Sequence, residues 1–183
     1  EEEKSPDSVS LDQVIGQNIA KRALQIALAG RHHLLMLGPP GVGKSMVAGA
    51  AAALLPALSR EEFIEVAKAH CQKSDYLNGD LSLKRPFRAP HHSASAAALL
   101  GGGTAMVIPG EVTLAHAGIL FMDEFPEFHR DVLEGLREPM QTGYVSLNRI
   151  GQWATLPARF TLIAATNPCP CGYSQESPRR CCC

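Results

Sequence analysis

The sequence predicts an α/β protein with a parallel central sheet, and three observations lead to this prediction. Three apolar runs, at residues 34–37, 118–122 and 160–165, have the length of strands. They lack polar alternation, as strands buried on both faces do. Segments with helical spacing separate them, so strands alternate with helices along the chain.

Composition narrows the functional classes. The chain has 183 residues and a formal net charge of −1, so no global field favours a nucleic acid or a membrane surface. No apolar stretch approaches the roughly 20 residues that span a bilayer. The acidic start, Glu1–Lys4, lacks the layout of a signal peptide. These features predict a cytoplasmic protein without a membrane partner, whose six cysteines are thiols or metal ligands.

The amino-terminal half contains helical signals. Residues 1–9 are predicted to be a flexible tail, and residues 10–183 a single core. Ser10 and Ser59 each precede a Gln or Glu by three positions, which predicts capping boxes. Helices are expected over residues 18–29, 44–55 and 60–68. Ile19, Ala23, Ile26 and Ala27 share one face of the first helix.

The second half is less regular at first. Residues 72–117 contain a basic, proline-rich stretch, a short helix near 94–100, and Gly101–Gly103, which predicts a helix stop followed by a mobile loop. A helix is expected over 131–141, with Pro139 capping or bending its end. Residues 144–147 and 152–156 flank a turn and predict a β-hairpin.

One loop carries the strongest functional signal. Residues 38–45 fit the pattern G-x-x-x-x-G-K-[ST] at every fixed position, between a predicted strand and a predicted helix. The phosphate-binding candidates are Gly38, Pro39, Pro40, Gly41, Val42, Gly43, Lys44 and Ser45, with Met46 following them. In such a loop Lys44 reaches the β- and γ-phosphates and the Ser45 hydroxyl ligates Mg²⁺. The loop predicts a nucleoside triphosphate site.

Polar side chains follow the two later strands. Asp123 and Glu124 end one strand, and Asn167 follows the next. The carboxyl ends of parallel strands meet at one edge of the sheet, beside the phosphate loop. Asp123 is therefore a candidate Mg²⁺ ligand, and Glu124 a candidate base for the attacking water. Asn167 can hold the γ-phosphate and the water in line.

These motifs together resemble an AAA+ ATPase. GPPGVGKS, ILFMDE and Asn167 after LIAAT are similar to its Walker A, Walker B and sensor-1 elements. PFRAPHHSASAAALLGGG, GEVTLAHAGILFMDE, LREPMQTG and LPARFTLIAATNPCPCGY resemble the magnesium-chelatase-like branch, and within it the ComM (YifB) group.

The resemblance implies a three-layer αβα P-loop core with an insertion in its second helix and a hairpin before sensor 1. It also implies that the segment Val14, Ile15, Gly16 and Gln17 lies near the adenine. The resemblance further implies a ring-forming, hexameric motor that would use ATP and Mg²⁺ to act on DNA as a branch-migration helicase.

The chain departs from that family pattern at its carboxyl end. It stops sixteen residues after Asn167, before the fifth strand, the arginine finger and the helical lid. We therefore expect an incomplete core from a longer protein, with weak or no ATPase activity by itself. Two alternatives stay open: a chelatase-type ATPase subunit, and an ATP-gated module that remodels proteins.

Three further groups of residues are candidates for binding. Arg149 at the hairpin turn is a possible DNA contact. Lys84, Arg85 and Arg88 form a basic patch that could bind single strands or brace a neighbouring subunit. His91 and His92 are read as structural, and Trp153 as hairpin packing. Cys169, Cys171, Cys181 and Cys183 give C-x-C-x₉-C-x-C, a possible zinc site.

Overall fold

A computed structural model describes residues 10–71, 83–103, 107–149 and 152–169. Its strands are β1 (Leu34–Leu37), β2 (Phe87–Arg88), β3 (Gly101–Gly102), β4 (Ile108–Pro109), β5 (Ile119–Met122), β6 (Tyr144–Arg149), β7 (Gln152–Pro157) and β8 (Thr161–Thr166). Four of these strands form a parallel sheet in the order β1-β8-β5-β2. The other four form two antiparallel ribbons, β3–β4 and β6–β7.

Helices lie between the strands in the alternation that the sequence predicts. They are α1 (Asn18–Gly30), α2 (Lys44–Gly49), α3 (Ala51–Leu54), α4 (Arg60–His70), α5 (Ala96–Leu100), α6 (Glu111–Leu114), α7 (Arg130–Gly135) and α8 (Arg137–Thr142). Both predicted capping boxes are present, at Ser10 and at Ser59. Within the described ranges, no helix is both long enough and apolar enough to cross a bilayer.

The sheet separates two hydrophobic clusters, which makes the core three-layered. Ile119 and Phe121 of β5 pack with residues of α1 and α2, whereas Leu120 and Met122 pack with residues of α5, α6 and α7. Alternate residues of a strand face opposite sides of a sheet, so β5 contributes to both layers. All four of these side chains are buried, as the apolar run predicts.

Strand β1 corrects one prediction. Leu35 and Leu37 are 61% and 56% exposed, so this strand is not buried on both faces. Leu34 and Met36 pack against the cluster on one face of the sheet, whereas Leu35 and Leu37 belong to neither cluster, so the described elements leave their face uncovered. Helix α1 also buries a different set of side chains from the one that the sequence predicts. Its buried side chains are Leu24, Ala27 and Leu28, while Ile19 of the predicted face is 89% exposed.

The segment after α4 contains structure that the sequence reading missed. Phe87–Arg88 is the fourth strand of the sheet, where only a basic loop was expected. Gly101 and Gly102, expected to be loop, form β3 against β4. A Cβ atom at Gly110 would come 2.3 Å from the backbone nitrogen of Gly101, so this ribbon needs glycine for its close approach.

The predicted helix over 131–141 is two short helices that divide at Leu136. Pro139 accounts for the division. It has no N–H to bond the carbonyl of Gly135, four residues earlier, and its ring crowds that carbonyl. The proline therefore lies inside α8 and interrupts the helix one turn upstream, rather than at the end where it was expected.

The predicted hairpin is present and longer than expected, from Tyr144 to Pro157, with residues 150–151 outside the described part. Val145 and Leu147 are buried on its inner face. Trp153, expected to pack within the hairpin, is instead 80% exposed. Its strand position directs it to the outer face, because it pairs with Asn148 while Ala154 pairs with the buried Leu147.

Candidate active site

The phosphate-loop residues connect the end of β1 to the start of α2. Gly41 and Gly43 have φ angles of +81° and +88°, which side chains other than glycine rarely adopt. A Cβ atom at either residue would meet nothing within 4 Å. Gly43, a fixed position of the pattern, and Gly41, a variable one, are therefore required by backbone conformation and not by tight packing.

Lys44 folds back over the loop and reaches across the sheet. Its Nζ donates to the carbonyl oxygens of Gly38 and Pro39, at 2.6 and 2.9 Å. It also donates to Oδ1 of Asn167 at 2.9 Å. Asn167 is there because β8 lies beside β1 and ends at Thr166. Two sequence-predicted residues, 123 positions apart, thus meet at one point.

Ser45 and Asp123 form the second junction. The Ser45 hydroxyl donates to Oδ2 of Asp123 at 2.5 Å. The other carboxylate oxygen, Oδ1, accepts the backbone N–H of Glu124 at 2.9 Å. A hydroxyl and a carboxylate side by side are the hard oxygen ligands that Mg²⁺ uses beside substrate phosphates. The donor set therefore fits the predicted metal.

Glu124 is held in an unusual conformation. Its φ is +50°, in the left-handed region that residues other than glycine seldom occupy. Its Oε2 lies 3.0 Å from Nδ1 of His92. Strained backbone at a polar residue is common at functional sites. The sequence predicted a structural role for His92. Its contact with the Glu124 carboxylate was not predicted, because the two residues are far apart in the chain.

Two cavities open on either side of the His92–Glu124 pair. One, of about 480 Å³, is also lined by Glu127, Thr166, Asn167 and Cys169. The other, of about 280 Å³, is also lined by Pro90, Phe121 and Asp123. Glu124 and Asn167 thus border the same open space.

The amino-terminal segment approaches the loop through Gln17, the last residue of the stretch that the resemblance places near the adenine. Gln17 Nε2 donates to the carbonyl oxygen of Val42 at 3.1 Å. Of the predicted adenine-side residues, Val14 is buried, whereas Ile15 is 95% exposed and Gly16 has a positive φ. Met46 is half exposed on α2. The resemblance placed Gln17 in this segment, but its hydrogen bond to the phosphate loop was not predicted.

The basic patch is not a free cationic surface. Arg85, only 7% exposed, bonds both carboxylate oxygens of Glu62, and Arg88 pairs with Glu111. Arg85 lowers the pKa of Glu62 to about 2 through this hydrogen bonding. These arginines join α4 and α6 to the region around β2.

Two other groups of candidates lie partly or wholly outside the described structure. The backbone of Arg149 ends β6, paired with Gln152, but its side chain is not described. Cys169 is half-buried beside the larger cavity, while Cys171, Cys181 and Cys183 lie beyond the described residues. Across the ranges that are described, no three His, Cys, Asp or Glu side chains are arranged to hold a metal. The zinc site stays a prediction.

A parallel αβα core with this loop, an acidic pair and a polar residue at neighbouring strand ends defines a P-loop core of the AAA+ class. Comparison with known proteins gives the family. Residues 10–183 match the family described as magnesium chelatase, subunit ChlI, and the chain belongs to that family. Membership implies an AAA+ ATPase core that uses ATP and Mg²⁺.

Individual relatives support the ComM/YifB group within the family. The chain is 50% identical over 167 residues to competence protein ComM of Haemophilus influenzae, covering 91% of this chain and 33% of that protein. It is 49% identical over 178 residues to YifB of Salmonella typhimurium, covering 95% and 34%. Lon protease 2 of Bacillus subtilis is 31% identical over 195 residues, covering 88% and 33%. The chain thus spans about a third of these relatives.

Proposed function

We propose that this chain is the nucleotide-hydrolysing core of a ring-shaped motor that acts on DNA. The observation that supports this proposal most directly is the contact between Lys44 Nζ and Asn167 Oδ1, at 2.9 Å. With the Ser45–Asp123 contact, it brings the ends of β1, β5 and β8 together beside the loop. Glu124 and Asn167 also line one cavity of about 480 Å³.

Nucleotide binding falls to the loop from Gly38 to Ser45. Its backbone N–H groups surround the phosphates, and Lys44 exchanges a protein acceptor for phosphate oxygens. Ser45 and Asp123 would hold Mg²⁺, which supplies charge neutralisation on the β- and γ-phosphates. Val14, Ile15, Gly16 and Met46 would lie around the nucleoside; the exposed Ile15 side chain offers apolar surface for a base.

Hydrolysis depends on Glu124 and Asn167. Glu124 would accept a proton from the attacking water, and the Asn167 amide would hold that water in line with the γ-phosphate. Lys44 keeps its hydrogen bond to Asn167 Oδ1 in this structure, which leaves the Asn167 Nδ2 group to donate towards phosphate. Glu124 and Asn167 would therefore act on the attacking water, while Lys44 would bind the negative charge of the phosphates.

The motor and its DNA substrate are proposed from the relatives and from the hairpin. One relative is named a competence protein, ComM. Self-assembly into a hexameric ring would supply in trans the arginine that AAA+ sites need, and such an arginine contributes about 10³- to 10⁵-fold in rate. The β6–β7 hairpin, with Arg149 at the end of β6, would contact the DNA backbone.

The deciding experiment measures ATP hydrolysis by the longer protein that contains this core, with and without single-stranded, duplex and branched DNA. Stimulation by DNA, together with assembly that depends on ATP, supports the proposal. Stimulation by a tetrapyrrole-chelatase partner alone, or by a protein client alone, would replace it with one of those two functions. Hydrolysis by the 183-residue chain alone, measured beside it, tells whether the core needs the remainder.

A further inference from the structure

Trp153 is the least buried large aromatic side chain in the described part of the chain, at 80% exposure. It is also the single tryptophan of the sequence. An indole is amphipathic and large, and it usually gains its stabilisation by burial or by an interface. The position of Trp153 leaves that contact to be made by something other than the hairpin itself.

The two faces of the hairpin differ in the burial of their side chains. On the inner face Val145 and Leu147 are buried, and a Cβ at Gly101 would lie 3.0 Å from a Leu147 methyl carbon. Leu147 of the hairpin therefore lies against Gly101 of β3. On the outer face Tyr144, Ser146, Trp153 and Thr155 are exposed. Trp153 is thus supported from behind and open in front.

The charge of this region favours an anionic partner. Residues 143–160 contain Arg149 and Arg159 and no Asp or Glu. The Arg159 guanidinium lies over the Tyr144 ring, 5.3 Å from its centre, and donates to the Tyr144 hydroxyl at 2.8 Å. The alternation of β6 places Tyr144 on the same outer face as Trp153. A fixed cation therefore lies at the base of the face that presents the indole.

The residues around Trp153 favour one of two kinds of partner, a protein or a single-stranded nucleic acid. A protein-docking site generally needs a contiguous apolar patch. Here the exposed neighbours along the strands are the hydroxyl residues Ser146 and Thr155. Single-stranded nucleic acid makes a different demand: one aromatic ring stacks on a base while polar and cationic groups contact the backbone.

We propose that Trp153 is a stacking platform for a base of single-stranded nucleic acid. This inference rests on the proposed DNA function and adds to it the strand form and the contact residue. Loss of the ring is expected to weaken binding by about 5- to 100-fold, because the stacked base loses its aromatic contact. The loss should not depend on which base is stacked.

The test uses two readouts on the same 183-residue protein. Indole fluorescence reports Trp153 alone, because the chain has one tryptophan. Anisotropy of a fluorescein-labelled oligothymidylate of about 20 nucleotides reports binding, at a salt concentration near 50 mM because phosphate contacts weaken as salt rises. Trp153→Ala removes the ring and Trp153→Phe keeps one. Thr155→Ala is the matched control on the same strand and face.

Quenching of the indole at saturation, weakened binding by Trp153→Ala and nearly normal binding by Trp153→Phe and Thr155→Ala support the inference. If the oligonucleotide binds without changing the fluorescence, and Trp153→Ala binds equally well, Trp153 is not the platform although the DNA function stands. If neither this protein nor the longer protein that contains it binds the oligonucleotide, both proposals fail. A fluorescence change that follows protein concentration without oligonucleotide shows instead that a second copy covers Trp153, and overturns the inference.

Discussion

His92 and Glu124 are joined by a 3.0 Å contact between Nδ1 of the imidazole and Oε2 of the carboxylate. The two residues come from different elements: Glu124 follows β5, and His92 lies in the loop between β2 and α5. Both line the two cavities beside the candidate site. The loop that leads into α5 therefore reaches the proposed catalytic base.

Replacing His92 tests whether this contact orients Glu124. We expect His92→Ala to lower kcat by about 3- to 30-fold while the KM for ATP changes little, because orientation affects the chemical step. His92→Asn should restore most of the rate, since the Asn amide nitrogen occupies the position of Nδ1. Ser93→Ala is the control, because Ser93 lies in the same loop and bonds His91 and not His92. Equal losses in the Ala and Asn variants would contradict an orienting role.

Glu124→Gln tests the base directly. The amide cannot take a proton from water, so hydrolysis should fall by about 10²- to 10⁴-fold. Nucleotide binding should persist, because neither Lys44 nor Ser45 contacts Glu124. Equilibrium binding of a fluorescent ATP analogue and steady-state hydrolysis in the longer protein measure the two effects. Near-normal turnover would remove Glu124 from the mechanism, and Glu127→Gln at the same cavity provides the comparison.

Lys44→Ala is expected to act at an earlier step. It removes the cation from the loop and also the donor to Asn167 Oδ1. ATP affinity should therefore fall by at least tenfold, since a charge-assisted hydrogen bond is worth about 1.5–3 kcal/mol. Titration of the ATP analogue checks this prediction, with Lys21→Ala on α1 as a control. Unchanged affinity would mean that the loop does not bind phosphate.

Glu62→Gln should destabilise the fold. It leaves Arg85, which is 7% exposed, without its carboxylate, and we expect a loss of about 1–3 kcal/mol at pH 7. Urea unfolding measures this loss, and the exposed neighbour provides the control in Glu61→Gln. Arg85 also donates to the carbonyl oxygens of Pro56 and Ala117. No difference between the two variants would show that these two bonds suffice to hold Arg85.

The pairing of Glu62 with Arg85 also predicts that the stability of the fold depends on pH. The folded-state pKa of Glu62 is lowered to about 2 from an unfolded value near 4.5, chiefly by the hydrogen bond from Arg85. Its contribution is therefore fully present above about pH 4.5 and is lost as the pH falls towards 2. The stability difference between wild type and Glu62→Gln should shrink across that window. A difference that grows on acidification would reverse the assigned sign.

His33 is expected to make the stability of the fold depend on pH in a higher range than Glu62 does. Burial, followed by the charge of His32, lowers its pKa below the usual 6.5. Its Nδ1 accepts the backbone N–H of Leu162 at 3.0 Å, a role that the neutral ring fills. The unfolded chain binds this proton more readily, so stability should decline as the pH falls below 6.5. His33→Asn should reduce that decline in urea unfolding measured between pH 7.5 and 5.5.

Local features were the most predictable. The phosphate loop, both capping boxes and the β6–β7 hairpin depend on residues close together in sequence, and all are present. Burial was less predictable. The exposure of Leu35 and the two ion pairs of Arg85 and Arg88 depend on which elements cover them. The sequence shows an apolar run or a basic patch, but not its neighbours.

The amino-acid sequence by itself determined the backbone of the loop, the strands that flank it and the type of side chain at each strand end. Only the tertiary structure decided which of these ends meet. The strand order puts β8 between β1 and β5, so Lys44 reaches Asn167 and Ser45 reaches Asp123. It also set His92 against Glu124 and left Trp153 uncovered. The reason is physical: turns and caps form from neighbouring residues, whereas long-range contacts depend on how the whole sheet closes.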